Sequence, residues 1–333
     1  MVLYITEQGA VLSKNEGRLV ISKNGESILE IPLKKIEKIN LLGNISLTTQ
    51  IINYFLDNGV DVIFMTQHGK YRGKLYTDGD WNVFLRLKQY EKSSDENFRL
   101  KMSKSIVRGK LRNYYNFLLS RSKKMPKGAL SRQLASIRNV MEKIDTAKDV
   151  DEVRGLEGVG SRYYFEGFAK LIRQKQFNFS GRTAHPPKDP INAMLSFGYH
   201  FLYNEVLAAI NAIGLDPYFG NLHTVDISKK SLLFDLVEEF RCIVIDTLIL
   251  NIINRQEITI QDFESIEENV VHFTDDALKR FISKYEEYMS QKMKYHLDEE
   301  ENYIRTIFQK QARHYARVVM DEEEEYIPFY KME

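Results

Sequence analysis

The residues best placed to do chemistry lie in SLLFDLVEEFRC, Ser231 to Cys242. On a helix starting at Ser231, Asp235 and Glu238 are at i and i+3, so both carboxylates point into one site. At ~100° per residue, Glu239, Cys242 and Asp246 join them on one stripe, opposite Leu233, Val237, Phe240, Val244 and Leu248. An amphipathic helix has such a polar face too, but several acids on one stripe repel unless water, arginine or a metal offsets them. A second candidate is GLEGVGSRYYF, Gly155 to Phe165. Asp149 and Glu152 have capping-box spacing, which puts Glu157 in an early helical turn. Gly155, Gly158 and Gly160 each cost roughly 1 kcal/mol there, and are understandable where another backbone or a ligand comes close. Close helix packing with Glu157 exposed is the other reading, and the one these residues favour on their own. A phosphate loop is excluded, because its Lys-Ser/Thr pair is missing. A third candidate is His223, in the loop GNLH after the helix break at Gly214 and Pro217. The loop GRTAHPPKDPINAM, Gly181 to Met194, is stiffened by Pro186, Pro187 and Pro190 and offers Arg182 and Lys188 to phosphate, with Asp189 as the next helix's N-cap. Carboxylates from two helices and an imidazole from a loop make a plausible hard-metal site, suited to Mg²⁺ or Mn²⁺ and to phosphodiester attack. Composition alone does not bring these groups together.

The elements that must position them divide in two. Up to about residue 88, short Val/Ile/Leu runs alternate with turn residues, and Asn24-Gly25 marks a type I′ hairpin. Thr48 to Asn58 breaks this pattern with helical spacing, and VDVIFM and YRGKLYT return to strand. The periodicity then turns to 3.6 residues over Phe98–Leu119, Leu130–Ile144, Val150–Arg173, Ile191–Ile213, Ser231–Ile253, Thr274–His296 and Glu300–Met320. The expected fold class is α+β: a β-rich domain at 1–88, a linker at 89–96, an α-helical catalytic domain at 97–320 and an acidic tail at 321–333. That tail reads as a solvated, disordered end, or through Tyr326–Tyr330 as a partner-docking segment.

Charge is balanced overall and segregated locally. The 333 residues carry 47 Lys+Arg and 46 Asp+Glu, a net charge of +1, which excludes a histone-like basic excess. Twelve Lys or Arg but only one acid, Glu142, fall between Lys101 and Lys143, with Tyr114, Tyr115 and Phe117 interleaved. Such a run can track a phosphate backbone or serve as a solvated face. A single cysteine, Cys242, excludes an intrachain disulfide, a zinc finger and an iron–sulfur cluster, and fits a reducing cytoplasm. The longest apolar stretch, Cys242–Ile253, is broken by Asp246 and Asn251 and falls short of the ~20 residues a membrane helix needs. No export signal is visible, so a cytoplasmic protein is expected.

Four motifs in register carry a resemblance: E-G…Y-F at Glu157, Gly158, Tyr164 and Phe165, P-P-x-D-P-x-N-A at Pro186–Ala193, G-x-x-H at Gly220–His223, and S-L-x-x-D-x-x-E-E-F-R at Ser231–Arg241. In this order and spacing the chain resembles, over essentially its whole length, the CRISPR-associated integrase, the DNA-inserting endonuclease of CRISPR adaptation. The resemblance implies a metal-dependent DNase and integrase with a β domain followed by an α domain. It implies a homodimer that acts on double-stranded and branched DNA. Two dimers would be bridged by a small ferredoxin-like adaptation partner into a heterohexamer. It places the metal ligands at Glu157, His223 and Glu238, the last an Asp in some relatives, and a supporting acid at Asp235. A transposon-borne integrase of the same superfamily and a non-catalytic nucleic-acid-binding scaffold are the alternatives. The acidic end DEEEEYIPFYKME, which would repel DNA, argues against the first.

Overall fold

A computed structural model describes the chain except for residues 68, 76–81, 184–185, 228, 268–269 and 332–333. It divides into two units, Met1–Asp80 and Trp81–Glu333. In the first, two four-stranded sheets are ordered β4-β3-β2-β6 and β1-β5-β7-β8. The strands are β1 (Val2–Ile5), β2 (Val11–Asn15), β3 (Arg18–Lys23), β4 (Glu26–Pro32), β5 (Lys38–Leu42), β6 (Ser46–Leu47), β7 (Asp61–Met65) and β8 (Tyr71–Lys74). The β3–β4 hairpin turns where the sequence predicts, with Asn24 at φ 53° and Gly25 at φ 86°. Both residues need positive φ in a type I′ turn, which asparagine and glycine tolerate best. Every residue of β5 is buried, as suits a central strand with parallel neighbours β1 and β7. The helix expected over 48–58 is α1 (Thr49–Asp57), whose Ile51 and Phe55 enter a core with Leu12, Leu19, Ile39 and Val62. Tyr76 and Thr77 of the last expected strand lie outside the described residues.

The second unit is mostly helical: α2 (Val83–Ser94), α3 (Glu96–Ser122), α4 (Ser131–Thr146), α5 (Val150–Leu171), α6 (Pro190–Ile213), α7 (Ser231–Val237), α8 (Thr247–Asn254), α9 (Asp275–Met289) and α10 (Ile304–Val319). Two small antiparallel ribbons, β9 (Phe263–Glu267) with β10 (Val270–Phe273) and β11 (Lys292–Lys294) with β12 (Glu301–Tyr303), complete it. The expected α+β class holds, but the expected boundary moves. Residues 89–96 are no linker. They end α2 and begin α3, and α2 belongs to the helical unit because Gln89 donates to the carbonyls of Asp216 and Phe219, both at 2.8 Å. Helices α3 and α5 run parallel: a Cβ on Gly160 would strike Leu111, and one on Gly167 would come within 2.8 Å of Leu118. The predicted cap of α6 is present, Asp189 accepting from the Asn192 amide at 2.9 Å with Pro190 in the first turn.

Two readings need correction. The helix expected over Ser231–Ile253 is not continuous: α7 stops at Val237, a turn follows at Glu238–Phe240, and a five-residue π-helical stretch, Cys242–Asp246, then leads into α8. Such stretches are rare and often sit at functional sites. The end of the chain is also not a loose tail: Glu322, Glu324 and Glu325 stay exposed, as a solvated run would, but the residues on either side of them are held. Asp321 ion-pairs with Lys88 and Lys92, and Tyr326 and Phe329 are 3% and 1% exposed against this chain itself, with no partner needed to cover them.

A candidate metal and acid–base centre

Helix α5 starts as expected, Asp149 accepting from the Glu152 amide at 2.8 Å. Its glycines divide between the two explanations: Gly160 is the close approach to α3, whereas Gly155 and Gly158 face open space. Glu157 is a quarter exposed, accepts from Ser161 Oγ at 2.8 Å and meets Lys110 Nζ of α3.

The loop bearing His223 is folded around Asp235. This carboxylate is fully buried and accepts the amides of Asn221 at 2.5 Å, Leu222 at 3.0 Å and His223 at 3.0 Å. His223 Nδ1 lies 2.7 Å from the same carboxylate. An ionised carboxylate only accepts, so Nδ1 carries the proton and Nε2 is the nitrogen left to bind a metal or take up a proton. Gly220 makes the wrap possible: a Cβ there would stand 2.6 Å from both Asp235 Oδ2 and the Ser231 carbonyl carbon. Asp235 thus fixes the tautomer and position of His223.

Glu238 is 3% exposed, its Oε2 is 2.6 Å from Lys110 Nζ, and its Oε1 is 3.3 Å from Arg241. Burial pushes its pKa up, but Arg241, Lys110 and His223 outweigh this and hold it below the ordinary carboxylate value. Burial works against the Lys110 ammonium too, and Glu238, Tyr114 and Glu157 more than restore it. One buried ammonium therefore sits between the two carboxylates predicted to hold a metal.

Among the described residues, no three His, Cys, Asp or Glu side chains converge closely enough to hold a metal as they stand. The expected trio divides into Glu157 and Glu238 on Lys110, and His223 on Asp235. The donor set nevertheless fits a hard divalent ion. Two carboxylates already share one cation, and the buried Glu238 Oε2 has no hydrogen bond of good geometry despite its ammonium neighbour.

The remaining acids of the stripe serve elsewhere. Glu239, fully buried, accepts from Tyr326 OH and the Phe329 amide. Asp246, also fully buried, accepts from Tyr164 at 2.7 Å and Tyr199 at 2.7 Å, and burial raises its pKa to about 6. The stripe is neither a solvated face nor one multi-acid site. Sequence reasoning missed Lys110, which lay unremarked in the basic run. It missed a role for Arg241, although Arg241 closes the fourth motif.

Beside this centre a cavity of about 610 Å³ has Lys110, Arg162, Arg182 and Arg241 in its lining, together with two acids, Glu157 and Glu166. Arg182 donates to Asn192 Oδ1 at 2.8 Å and Ser196 Oγ at 3.0 Å, so it is built into α6 and does not float in the proline loop. One carboxylate of the pair, Glu157, opens onto these arginines, an arrangement that suits a phosphodiester: acids can take a cation and arginines the phosphate charge.

The family model for CRISPR associated protein Cas1 matches residues 3–287. The chain belongs to the Cas1 family. It is 30% identical to "CRISPR-associated endonuclease Cas1 1" of Moorella thermoacetica, over 98% of this chain and 97% of that one. It is likewise 30% identical to "CRISPR-associated endonuclease Cas1 3" of Thermus thermophilus, over 98% and 96%. Its fold matches the Cas1 protein of Thermotoga maritima with a TM-score of 0.82 at 24% identity, covering 96% of each chain. It also matches a casposase bound to integration product, with a TM-score of 0.85 at 24% identity, covering 99% of this chain and 94% of that one. This Cas1 chain contains, among its described residues, no helix long and apolar enough to cross a membrane.

Proposed function

We propose that this chain is a metal-dependent DNA endonuclease and integrase that inserts short foreign DNA into a CRISPR array. The reaction is attack of a DNA 3′-hydroxyl on a repeat phosphodiester. The observation that carries this reading is the pair of carboxylates, Glu157 and Glu238, sharing one buried cation beside an arginine-lined cavity. Curated relatives named Cas1 endonucleases, and a structural neighbour described as a casposase bound to integration product, support it. Glu157, His223 and Glu238 are the residues that would hold Mg²⁺ or Mn²⁺. When bound, the ion lowers the pKa of the attacking hydroxyl and polarises the scissile phosphate. Asp235 holds His223 with Nε2 turned to acceptor duty, and Arg241 and Arg182 take phosphate charge as the substrate enters. The first unit mediates a homodimer and contacts with a small ferredoxin-like partner, a proposal supported by the fold likeness to a chain described in a Cas6-RT-Cas1–Cas2 complex. The substrates are double-stranded and branched DNA, and the setting is cytoplasmic.

The test is strand transfer, with a 3′-hydroxyl duplex and a repeat-containing plasmid in Mn²⁺ or EDTA. We expect joining in Mn²⁺ only, a loss of at least ~10²-fold in Glu238→Ala and in His223→Ala, and retained DNA binding in both. Normal joining by either variant overturns the assignment. Metal-independent DNA binding with no joining, even with the partner added, points to a non-catalytic scaffold.

A further inference from the structure

A second cavity, of about 540 Å³, opens where α3, α5 and α8 end together. Five cationic residues line it, Arg121, Lys124, Lys170, Arg173 and Arg255, and no acid does. Neutralisation of helix ends is the simplest explanation to test. Each helix C-terminus carries roughly −0.5 charge, so three account for about −1.5. Five cations exceed that by more than three. Among the described residues Arg255 is the one of the five in an ion pair, with Glu257 at 3.8 Å, while the buried Asp246 carboxylate acts on Arg121 without pairing with it. Lys170 donates to the Ala129 carbonyl and Gln133, and Arg121 to the Phe117 carbonyl, all neutral acceptors. Lys124 and Arg173 are exposed and, among the described residues, have no ion pair. The cavity therefore keeps an unbalanced positive charge aimed at solvent.

Its placement gives this charge a purpose. Because α3 and α5 run parallel, the metal centre and this cavity lie at two stations along one helix pair. Arg121 follows Lys110 by eleven residues and Lys170 follows Glu157 by thirteen, which at ~1.5 Å per residue is about 16–20 Å. At about 3.4 Å per nucleotide along a strand, that span is five to six nucleotides. We propose that this cavity is a backbone-phosphate site for DNA, holding the strand about five to six nucleotides from the phosphodiester at the metal centre. The proposal rests on the integrase reading and adds to it a positioning site remote from the chemistry.

The test uses the full-length protein and branched DNAs in which one arm is 3, 6, 9 or 12 base pairs long. Binding is followed by fluorescence anisotropy in EDTA, and cleavage or joining in Mn²⁺. For the wild type we expect affinity to rise about tenfold once the arm passes five to six nucleotides. In Lys124→Glu/Arg173→Glu that rise should flatten to less than about twofold. The slope of log K against log salt should become shallower by about 1.8, at ~0.9 per lost phosphate contact. Metal-dependent activity on the shortest arm should stay at the wild-type level. A Lys124→Gln/Arg173→Gln variant, expected to be intermediate, guards against a folding defect caused by charge reversal. Wild-type length dependence and salt slope in both variants overturn the proposal and leave the integrase reading standing. Absence of DNA binding and of metal-dependent activity in the wild type overturns both.

Discussion

At the scale of single residues, Lys110 is the group that most changes the picture of the site. It is 3% exposed and compensates two acids, so its removal leaves carboxylates buried without a partner. Breaking a buried pair from one side costs about 3–5 kcal/mol. At roughly 2–4 °C per kcal/mol for a domain of this size, Lys110→Met should lower the melting temperature in EDTA by on the order of 10 °C. The same substitution removes the cation that a metal bound as proposed would have to displace. Titration calorimetry should therefore show tighter Mn²⁺ binding in Lys110→Met, and Mn²⁺ should raise its melting temperature more than that of the wild type. Equal Mn²⁺ affinity in the two proteins would show that the ammonium does not occupy the metal's place. Asp235 acts one step further out, through His223. Asp235→Asn keeps the volume but weakens the hold on Nδ1, and should cost about 10–100-fold in metal affinity. An unchanged Mn²⁺ isotherm would remove Asp235 from that role.

At the scale of elements, the decisive feature is the strap that ends the chain. Asn113 of α3 donates to the Glu239 carbonyl at 3.0 Å and to the Phe329 carbonyl at 2.8 Å, tying together α3, the segment after α7 and the strap. Pro328 seats on Gly109, where a Cβ would collide with its ring. The strap thus grips the neighbours of both site residues, Gly109 beside Lys110 and Glu239 beside Glu238. Gly109→Ala should displace it and weaken Mn²⁺ binding while the site side chains stay intact; wild-type affinity with the strap displaced would uncouple the two. The strap also has a pH signature. His296 packs on Phe329 and Tyr330, and burial pushes its pKa down to about 4. The unfolded chain then binds more protons than the folded one between about pH 6.5 and 4, so stability falls as pH drops through that window. Comparing wild type with His296→Phe by denaturant melts should show a difference on the order of 2 kcal/mol at pH 4 that vanishes by pH 7.5; a difference independent of pH would reject the assignment. The chain shows that Tyr326–Tyr330 is apolar enough to dock, but not that it docks on this chain itself. DEEEE dominates its own neighbourhood in sequence, while Tyr326 and Phe329 find their places only through contacts far along the chain. What was legible was local: the Asn24-Gly25 turn, the caps at Asp149 and Asp189, and the long helical periodicities. The Cys242–Asp246 π-helical stretch escaped because its residues keep the apolar pattern of an ordinary helix while the register shifts beneath them.

At the scale of the whole molecule, the four expected site residues, Lys110, Arg241 and the strap all lie in one unit, Trp81–Glu333. The residues proposed for the chemistry all lie outside Met1–Asp80, which leaves that unit for the assembly proposed above. Its surface carries one feature that suits this. Strand β4 is an edge of its sheet, and its Ile28 and Leu29 are 54% and 49% exposed. An edge strand offers unpaired backbone groups, and soluble proteins protect such edges with charge, proline or a covering partner. Here Glu26, Glu30 and Pro32 lie within the strand while two large apolar side chains remain exposed at its centre, the composition expected where a second surface covers them. The homodimer proposed for this chain should therefore depend on β4. Ile28→Glu/Leu29→Glu, changed at exposed positions, should fold as the wild type does and bind Mn²⁺ with unchanged affinity, yet sediment as a monomer. It should lose strand transfer at paired repeat ends if, as the proposed assembly requires, two active sites are held at fixed separation. A variant that remains dimeric at micromolar concentration would move the interface off this strand, and a monomer that still joins both ends would show that one site suffices.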